Sequence, residues 1–257
     1  MKIVRFEADN TINYGILAAN EQIHVVKGDI FNNTFTETGE ILPLNNVKLL
    51  SPCVPSKAVC IGLNYHDHAR EMKLTLPEEP LIFLKPSSAL NHPNGTVEYP
   101  AISKNLHYEG ELAIVIKKEA RKVPIETAEN YVLGYTCAND VTARDIQMKD
   151  GQWTRGKSFD TFLPLGPCIE TELDPHNVSI RLLLNGEVKQ SSNTSNLIFK
   201  VAEMVSFVSQ VMTLYPGDVI LTGTPSGVGP MQVGDFVTVD IEGIGALNNT
   251  IVGEKER

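Results

Sequence analysis

Apolar and polar positions alternate along much of the chain, and this period of two predicts strands more often than helices. Residues 2–8, 12–19 and 22–26 form short β-like runs, and the polar stretch 32–39 reads as a loop. Ser51-Pro52-Cys53-Val54-Pro55 then forms a joint, because its prolines force extended backbone. Beyond it, 57–63, 81–84, 132–139, 219–222, 236–241 and 247–252 read as strands, and Asn185-Gly186 predicts a tight hairpin turn between 180–184 and 187–190. One long helix is predicted over 197–213, where Leu197, Val201, Met204, Val205, Val208, Val211 and Met212 recur at three and four. A short helix is predicted after Asn64, taken as its cap, with Asp67 in the first turn. Strand–helix alternation is too sparse for a parallel doubly wound sheet. The pattern therefore predicts a mixed, β-rich α+β fold, with a small β-rich N-terminal domain over 1–50 and a larger domain over 51–257.

Composition narrows the function classes. At 257 residues, with 42% hydrophobic and 21% charged positions, the chain has an ordinary globular make-up and is too apolar for global disorder. A net charge of −9 leaves no basic stripe to neutralise phosphates, which argues against nucleic acid as a partner. No apolar run approaches the roughly 20 residues of a membrane helix, and the start breaks into charge at Lys2 and Arg5 instead of forming a secretory leader. Cys53, Cys60, Cys137 and Cys168 lack any C-x-x-C spacing, so buried thiols are expected, not a disulfide frame or a zinc site. The expected setting is cytoplasmic, without a membrane partner.

The chemistry concentrates in acids beside apolar runs. Glu109 and Glu111 in Tyr108-Glu109-Gly110-Glu111-Leu112-Ala113-Ile114-Val115-Ile116 are two apart, so on a strand they share a face. Such a pair beside apolar backbone needs a proton or a cation between its members. Asp140, at the end of another apolar run, offers a third oxygen donor, and this set suits Mg²⁺ or Mn²⁺. His68 and Glu71 share a helix face at i,i+3, where a carboxylate raises imidazole basicity and sets up a general base. His66 points away from His68 and is not expected to share a metal with it. The segment containing this pair, rooted at Gly62 and Asn64, reads as a lid. Gly151-Gln152-Trp153-Thr154-Arg155-Gly156-Lys157-Ser158 matches a phosphate-cradling loop letter for letter, but no strand precedes it and prolines forbid a helix after it, so a nucleotide site is excluded. Lys157 stays a candidate cationic stabiliser of the acid pocket. The turn Thr222-Gly223-Thr224-Pro225-Ser226-Gly227-Val228-Gly229-Pro230 offers backbone amides and the Thr224 hydroxyl to a carboxylate.

Six segments in order carry a resemblance: Gly62-Leu63-Asn64-Tyr65-x-x-His68-x-x-Glu71, Phe83-Leu84-Lys85-Pro86, Glu109-Gly110-Glu111-Leu112, Asn139-Asp140-Val141-Thr142-Ala143-Arg144-Asp145, Gly156-Lys157-Ser158-Phe159-Asp160, and Thr222-Gly223-Thr224-Pro225-x-Gly227-Val228-Gly229. From about 57 to 252 the chain resembles the fumarylacetoacetate hydrolase superfamily. The resemblance implies a β-sandwich roll with a small N-terminal domain, in a homodimer. It implies Glu109, Glu111 and Asp140 as ligands of Mg²⁺ or Mn²⁺, and His68 and Glu71 as a water-activating dyad on a lid. It also implies that Arg144, Gln147, Lys157 and Thr224 hold the carboxylate and oxo groups of a small 2-oxo acid, Lys157 within the catalytic set. The expected activity is hydrolysis of a C–C bond in acylpyruvate-type 2,4-dioxo acids. The alternatives are isomerisation of the 2-hydroxyhepta-2,4-diene-1,7-dioate type, or oxaloacetate tautomerisation or decarboxylation.

Overall fold

A computed structural model of the chain describes residues 1–254. The chain opens with β1 (Lys2–Ala8), β2 (Thr11–Leu17), β3 (Gln22–Asp29), β4 (Thr34–Pro43) and β5 (Lys48–Leu50). It continues through β6 (Lys57–Gly62), α1 (His66–Glu71), β7 (Leu81–Pro86), β8 (Leu90–Asn91), β9 (Thr96–Tyr99), β10 (Leu106–Tyr108), β11 (Gly110–Ile116), β12 (Val132–Asn139) and β13 (Thr142–Ala143). Then come α2 (Arg144–Asp150), α3 (Thr154–Lys157), β14 (Leu163–Glu170), β15 (Ser179–Leu184), β16 (Glu187–Asn193) and α4 (Val201–Val211). The last strands are β17 (Val219–Leu221), β18 (Gly229–Met231), β19 (Phe236–Ile241) and β20 (Gly245–Gly253). The fold is β-rich and mixed, with a small N-terminal β unit, as the pattern predicts.

One large sheet runs in the order β4-β3-β2-β1-β14-β12-β11-β17-β6-β7, and a second, β16-β15-β19-β20-β9, is separate from it. The N-terminal strands extend the large sheet, since β1 pairs with β14. Their Val4, Phe6, Ile23 and Val25 enter the same core as Leu112 and Ile114.

The centre of the large sheet is buried on both faces, and the period of two sorts its side chains between two cores. Leu112, Ile114 and Ile116 of β11 join Val59 and Ile61 of β6 and Ile220 of β17 in one core. Ala113 and Val115 face the other way, with Ala58, Cys60, Ala138, Val219 and Leu221. On that second side the residues are small near one end of the strands, which leaves room for polar side chains.

Three local readings need correction. Residues 32–39 are not a loop throughout, because β4 begins at Thr34 and pairs with β3. Its side chains are mostly exposed at the sheet edge, so no apolar alternation marks it in the sequence. The helix predicted over 197–213 is α4, confined to Val201–Val211. The Glu203 carboxylate accepts the Lys200 backbone N–H at 2.6 Å and closes its first turn, while Leu197 pairs with Tyr65 instead. Asn64 does not cap α1; Tyr65 occupies the cap position without a side-chain bond.

Candidate active site

Glu109 lies between β10 and β11, Glu111 on β11, and Asp140 just past β12. Antiparallel pairing sets Glu111 opposite Ala138, and the Asp140 amide donates to Glu109 O at 2.9 Å. Side-chain alternation then puts all three acids on the small-residue side of the sheet, where an oxygen from each lies within 4.8 Å of the others. All three are buried.

Two buried lysines answer these charges. Lys157, at the end of α3, donates to Glu109 Oε2 at 2.8 Å and to Asp140 Oδ2 at 2.6 Å. Lys85, on β7 opposite Ala58, reaches the same side of the sheet and donates to Asp140 Oδ1 at 2.5 Å and to Val141 O at 3.0 Å. Lys85 stands in the family-like pattern Phe83-Leu84-Lys85-Pro86, but the sequence gives it no role; its neighbours read only as a strand. The Lys157 ammonium also sits 5.0 Å from the Phe83 ring centroid, and Phe83 meets Trp153 edge-on at 5.0 Å.

Burial raises the carboxyl of Glu109, but Lys157 and Arg144 outweigh it and hold the group down at about 2. Burial, Asp140 and Glu109 push Glu111 well above the usual carboxylate range. The difference is in their partners. Among the described residues no cation bonds Glu111, which accepts the Gly223 N–H at 2.7 Å. Burial alone would lower Lys157, yet Asp140 and Glu109 raise it, so it is an ammonium at neutral pH.

The donor set fits a hard divalent cation. Three carboxylates converge, and Glu111, whose charge burial and the other two acids disfavour, has no cationic partner among the described residues; a dication would favour its ionised form. Asn139 supports the same reading. Its Oδ1 accepts the Glu109 N–H at 2.9 Å, while its buried Nδ2 has no partner among the described residues and suits a polar guest.

Helix α1 carries His68 and Glu71 on one face, with Nδ1 3.1 Å from Oε2. Both Glu71 oxygens accept the Gly227 N–H at 3.2 Å. Gly223 and Gly227 belong to one loop, so the loop that contacts Glu111 also contacts the imidazole's partner. The root of α1 is tightly tied. Asn64 is buried, donates to Thr222 O at 2.9 Å and to Phe199 O at 3.1 Å, and accepts the Phe199 N–H at 2.7 Å.

The remaining expected residues are engaged with the protein itself. Arg144, at the start of α2, bonds Glu109 through Nη2 and donates to Gln147 Oε1 at 2.6 Å through Nη1. Arg144 thus borders the triad, and Gln147 is linked to it through Arg144. Thr224 donates its hydroxyl proton to Gly110 O at 2.9 Å and accepts from Gln190 Nε2 at 2.8 Å. With one proton to give, its hydroxyl in this structure fixes the loop and offers no donor to a carboxylate. Gln190, unmarked in the sequence reading, also accepts the Gly110 N–H at 2.9 Å. The phosphate-loop match is resolved as expected, for α2 precedes it, α3 lies within it and β14 follows.

This fold and site define a β-rich enzyme with a buried carboxylate triad of a kind that can hold a divalent cation. The chain belongs to the fumarylacetoacetate hydrolase family: residues 57–252 match the model described as fumarylacetoacetate (FAA) hydrolase C-terminal, and residues 1–52 match one described as Rv2993c-like, N-terminal. It is 43% identical over 224 residues to the mitochondrial oxaloacetate tautomerase Fahd2a of Rattus norvegicus, covering 82% of this chain and 72% of that protein. The crystal structure of 5-carboxymethyl-2-hydroxymuconate delta-isomerase from Mycobacterium smegmatis superposes with a TM-score of 0.93 at 44% identity, over 99% of this chain and 100% of that one. Maleylpyruvate hydrolase from Sphingobium sp. SYK-6, in complex with manganese(II) ion and pyruvate, gives 0.83 at 30% identity, over 99% and 100%. Among the described residues no helix is long and apolar enough to cross a membrane.

Proposed function

We propose that this protein is a divalent-cation-dependent hydrolase of acylpyruvate-type 2,4-dioxo acids. The observation that carries the reading is the hydrogen-bonded His68–Glu71 pair, on a helix whose supporting loop also holds Glu111. Glu109, Glu111 and Asp140 would hold Mg²⁺ or Mn²⁺, which when bound polarises the 2-oxo carboxylate end of the substrate. Lys85 and Lys157 keep positive charge beside Glu109 and Asp140. Glu71 fixes the tautomer and orientation of His68, which takes a proton from water. The resulting hydroxide adds to the distal carbonyl, the C–C bond breaks, and the electron pair passes to the pyruvate fragment as its enolate. The imidazolium then returns its proton to the methylene carbon, giving pyruvate and a carboxylic acid.

A second reading has its own support: the 43% identity to an oxaloacetate tautomerase favours proton transfer at the carbon between two carbonyls, without an attacking water. A panel of acylpyruvates and oxaloacetate, followed by pyruvate release and by loss of enol absorbance, separates the two. Hydrolysis requires pyruvate from an acylpyruvate, with a loss of about a hundredfold or more in His68→Ala and Mg²⁺ affinity unchanged. Rapid keto–enol exchange of oxaloacetate, with no pyruvate from any acylpyruvate, replaces the hydrolase by the tautomerase.

A further inference from the structure

Helix α1 carries the candidate base, yet it has only six residues, and its cap residue Tyr65 makes no side-chain bond. A helix this short does not hold itself together, because nucleation costs more than so few backbone bonds return. Ala69 is its buried side chain, so packing fixes it at one point. Its root is held at Asn64 and Tyr65, and beyond that root its orientation comes from two polar tethers. One is the contact between Glu71 and the Gly227 amide. The other runs from the second sheet: the Ser192 hydroxyl donates to Asp67 Oδ2 at 2.5 Å, and Asp67 Oδ1 accepts the His68 backbone N–H at 2.7 Å. Asn196 Nδ2 donates to Ser192 Oγ at 3.2 Å and so turns the single hydroxyl proton toward Asp67.

We propose that Ser192, oriented by Asn196, is a positioning residue that holds His68 in register with the carboxylate triad through Asp67. The proposal rests on the reading of His68 as the proton-transferring base. The strand itself gives the relay its reach. Residues two apart on β16 share a face, so Gln190 and Ser192 project together. Gln190 accepts the Gly110 N–H between the two glutamates, and Ser192 bonds the first turn of α1. One edge strand thus gauges the distance between the acids and the imidazole. The link is charge-assisted and short, the strong kind of hydrogen bond. It acts on the helix backbone, one residue from the imidazole it aims.

The test uses full-length protein with Mg²⁺ and whichever of the acylpyruvate or oxaloacetate reactions the wild type performs. Ser192→Ala should lower kcat about tenfold, the scale of one lost hydrogen bond to a charged group, with KM and Mg²⁺ affinity held within about twofold. The amides of Ala69 and Met72, which close α1 on Tyr65 O and His68 O, should exchange about tenfold faster. Ser192→Thr keeps the hydroxyl and should restore both readouts. Ser191→Ala, on the opposite face of β16, should move neither. Unchanged exchange and kcat in Ser192→Ala overturn the proposal. So does a kcat loss matched by lost Mg²⁺ affinity or by faster exchange across the whole protein, which would mark a general structural role. If faster α1 exchange comes with full turnover, the tether is real but does not position a base, and the proposal fails there. Because exchange and metal affinity need no substrate, the failure of the hydrolase reading alone leaves this test intact.

Discussion

Among single residues, the triad members differ in what their removal strands. Asp140 is bonded by both buried lysines, so Asp140→Ala leaves Lys85 without a carboxylate and Lys157 with Glu109 alone. Breaking one partner out of a buried pair costs about 3–5 kcal/mol, so the metal-free variant should unfold at much lower urea as well as lose Mg²⁺ binding. Glu111→Gln should behave differently. No cation bonds Glu111, and burial with Asp140 and Glu109 disfavours its charge, so the neutral amide should leave metal-free stability unchanged or raised while calorimetry shows lost affinity. Equal destabilisation by both changes would disprove this division of charge. Gly62 presents a steric case. A Cβ there would sit 2.8 Å from Trp153 Cζ3, and the indole is pinned by Phe83. Gly62→Ala should cost about 1–3 kcal/mol, and Trp153→Leu should recover part of it in the double variant. Additive losses would show that the two residues do not meet. At this scale the sequence was legible where chemistry contradicts surroundings: Glu109, Glu111 and Asp140 stand out because carboxylates beside apolar strands need a reason. Lys85 was not legible as a site residue, since only the β6–β7 register carries it to Asp140.

For the elements, legibility follows burial. β11 and β6 are buried throughout or nearly so, and their apolar runs announce them. β4 is exposed along most of its length, so its strand character lies in backbone pairing with β3 and not in its side chains. The root of α1 was misread for a related reason. Asn64 is a common cap residue type, but the backbone of 198–199 and 222 surrounds it, and those partners are remote in sequence. The joint between the N-terminal strands and the rest has a polar clasp of its own. His92 Nδ1 accepts the Ser51 N–H at 3.0 Å, which needs an unprotonated nitrogen. Burial, with Arg5 and Lys48 nearby, lowers the His92 pKa below its ordinary value of about 6.5. Below that value the unfolded chain binds the proton more readily than the folded one, so this contribution to stability is complete above about pH 6.5 and is lost as pH falls through the lower, folded value. His92→Asn keeps an acceptor near the Nδ1 position and cannot titrate. Thermal unfolding between pH 7 and 5 should therefore fall more steeply in the wild type than in His92→Asn. Parallel curves would show that the clasp does not depend on this ring.

The whole molecule carries a net charge of −9, and the proposed cation site must be told apart from that general field. Any salt screens surface repulsion and raises stability somewhat, without saturating at low concentration. A built site behaves otherwise: it binds the folded state alone and stabilises by mass action, about 2.7 kcal/mol at a hundred times the dissociation constant. In a chain of this size each kcal/mol moves the melting temperature by roughly 2–4 °C, which gives a rise of roughly 5–10 °C. Protein stripped with EDTA should show this rise with Mg²⁺ or Mn²⁺ at constant ionic strength, and the rise should follow a saturating curve. It should vanish in Glu111→Gln, whose overall charge differs by one unit in a total of nine and whose surface is unaltered, since Glu111 is buried. Cation-induced stabilisation that matches NaCl at equal ionic strength, or that persists in Glu111→Gln, would assign the effect to the acidic surface and leave the triad as a hydrogen-bonded charge cluster held by Lys85 and Lys157.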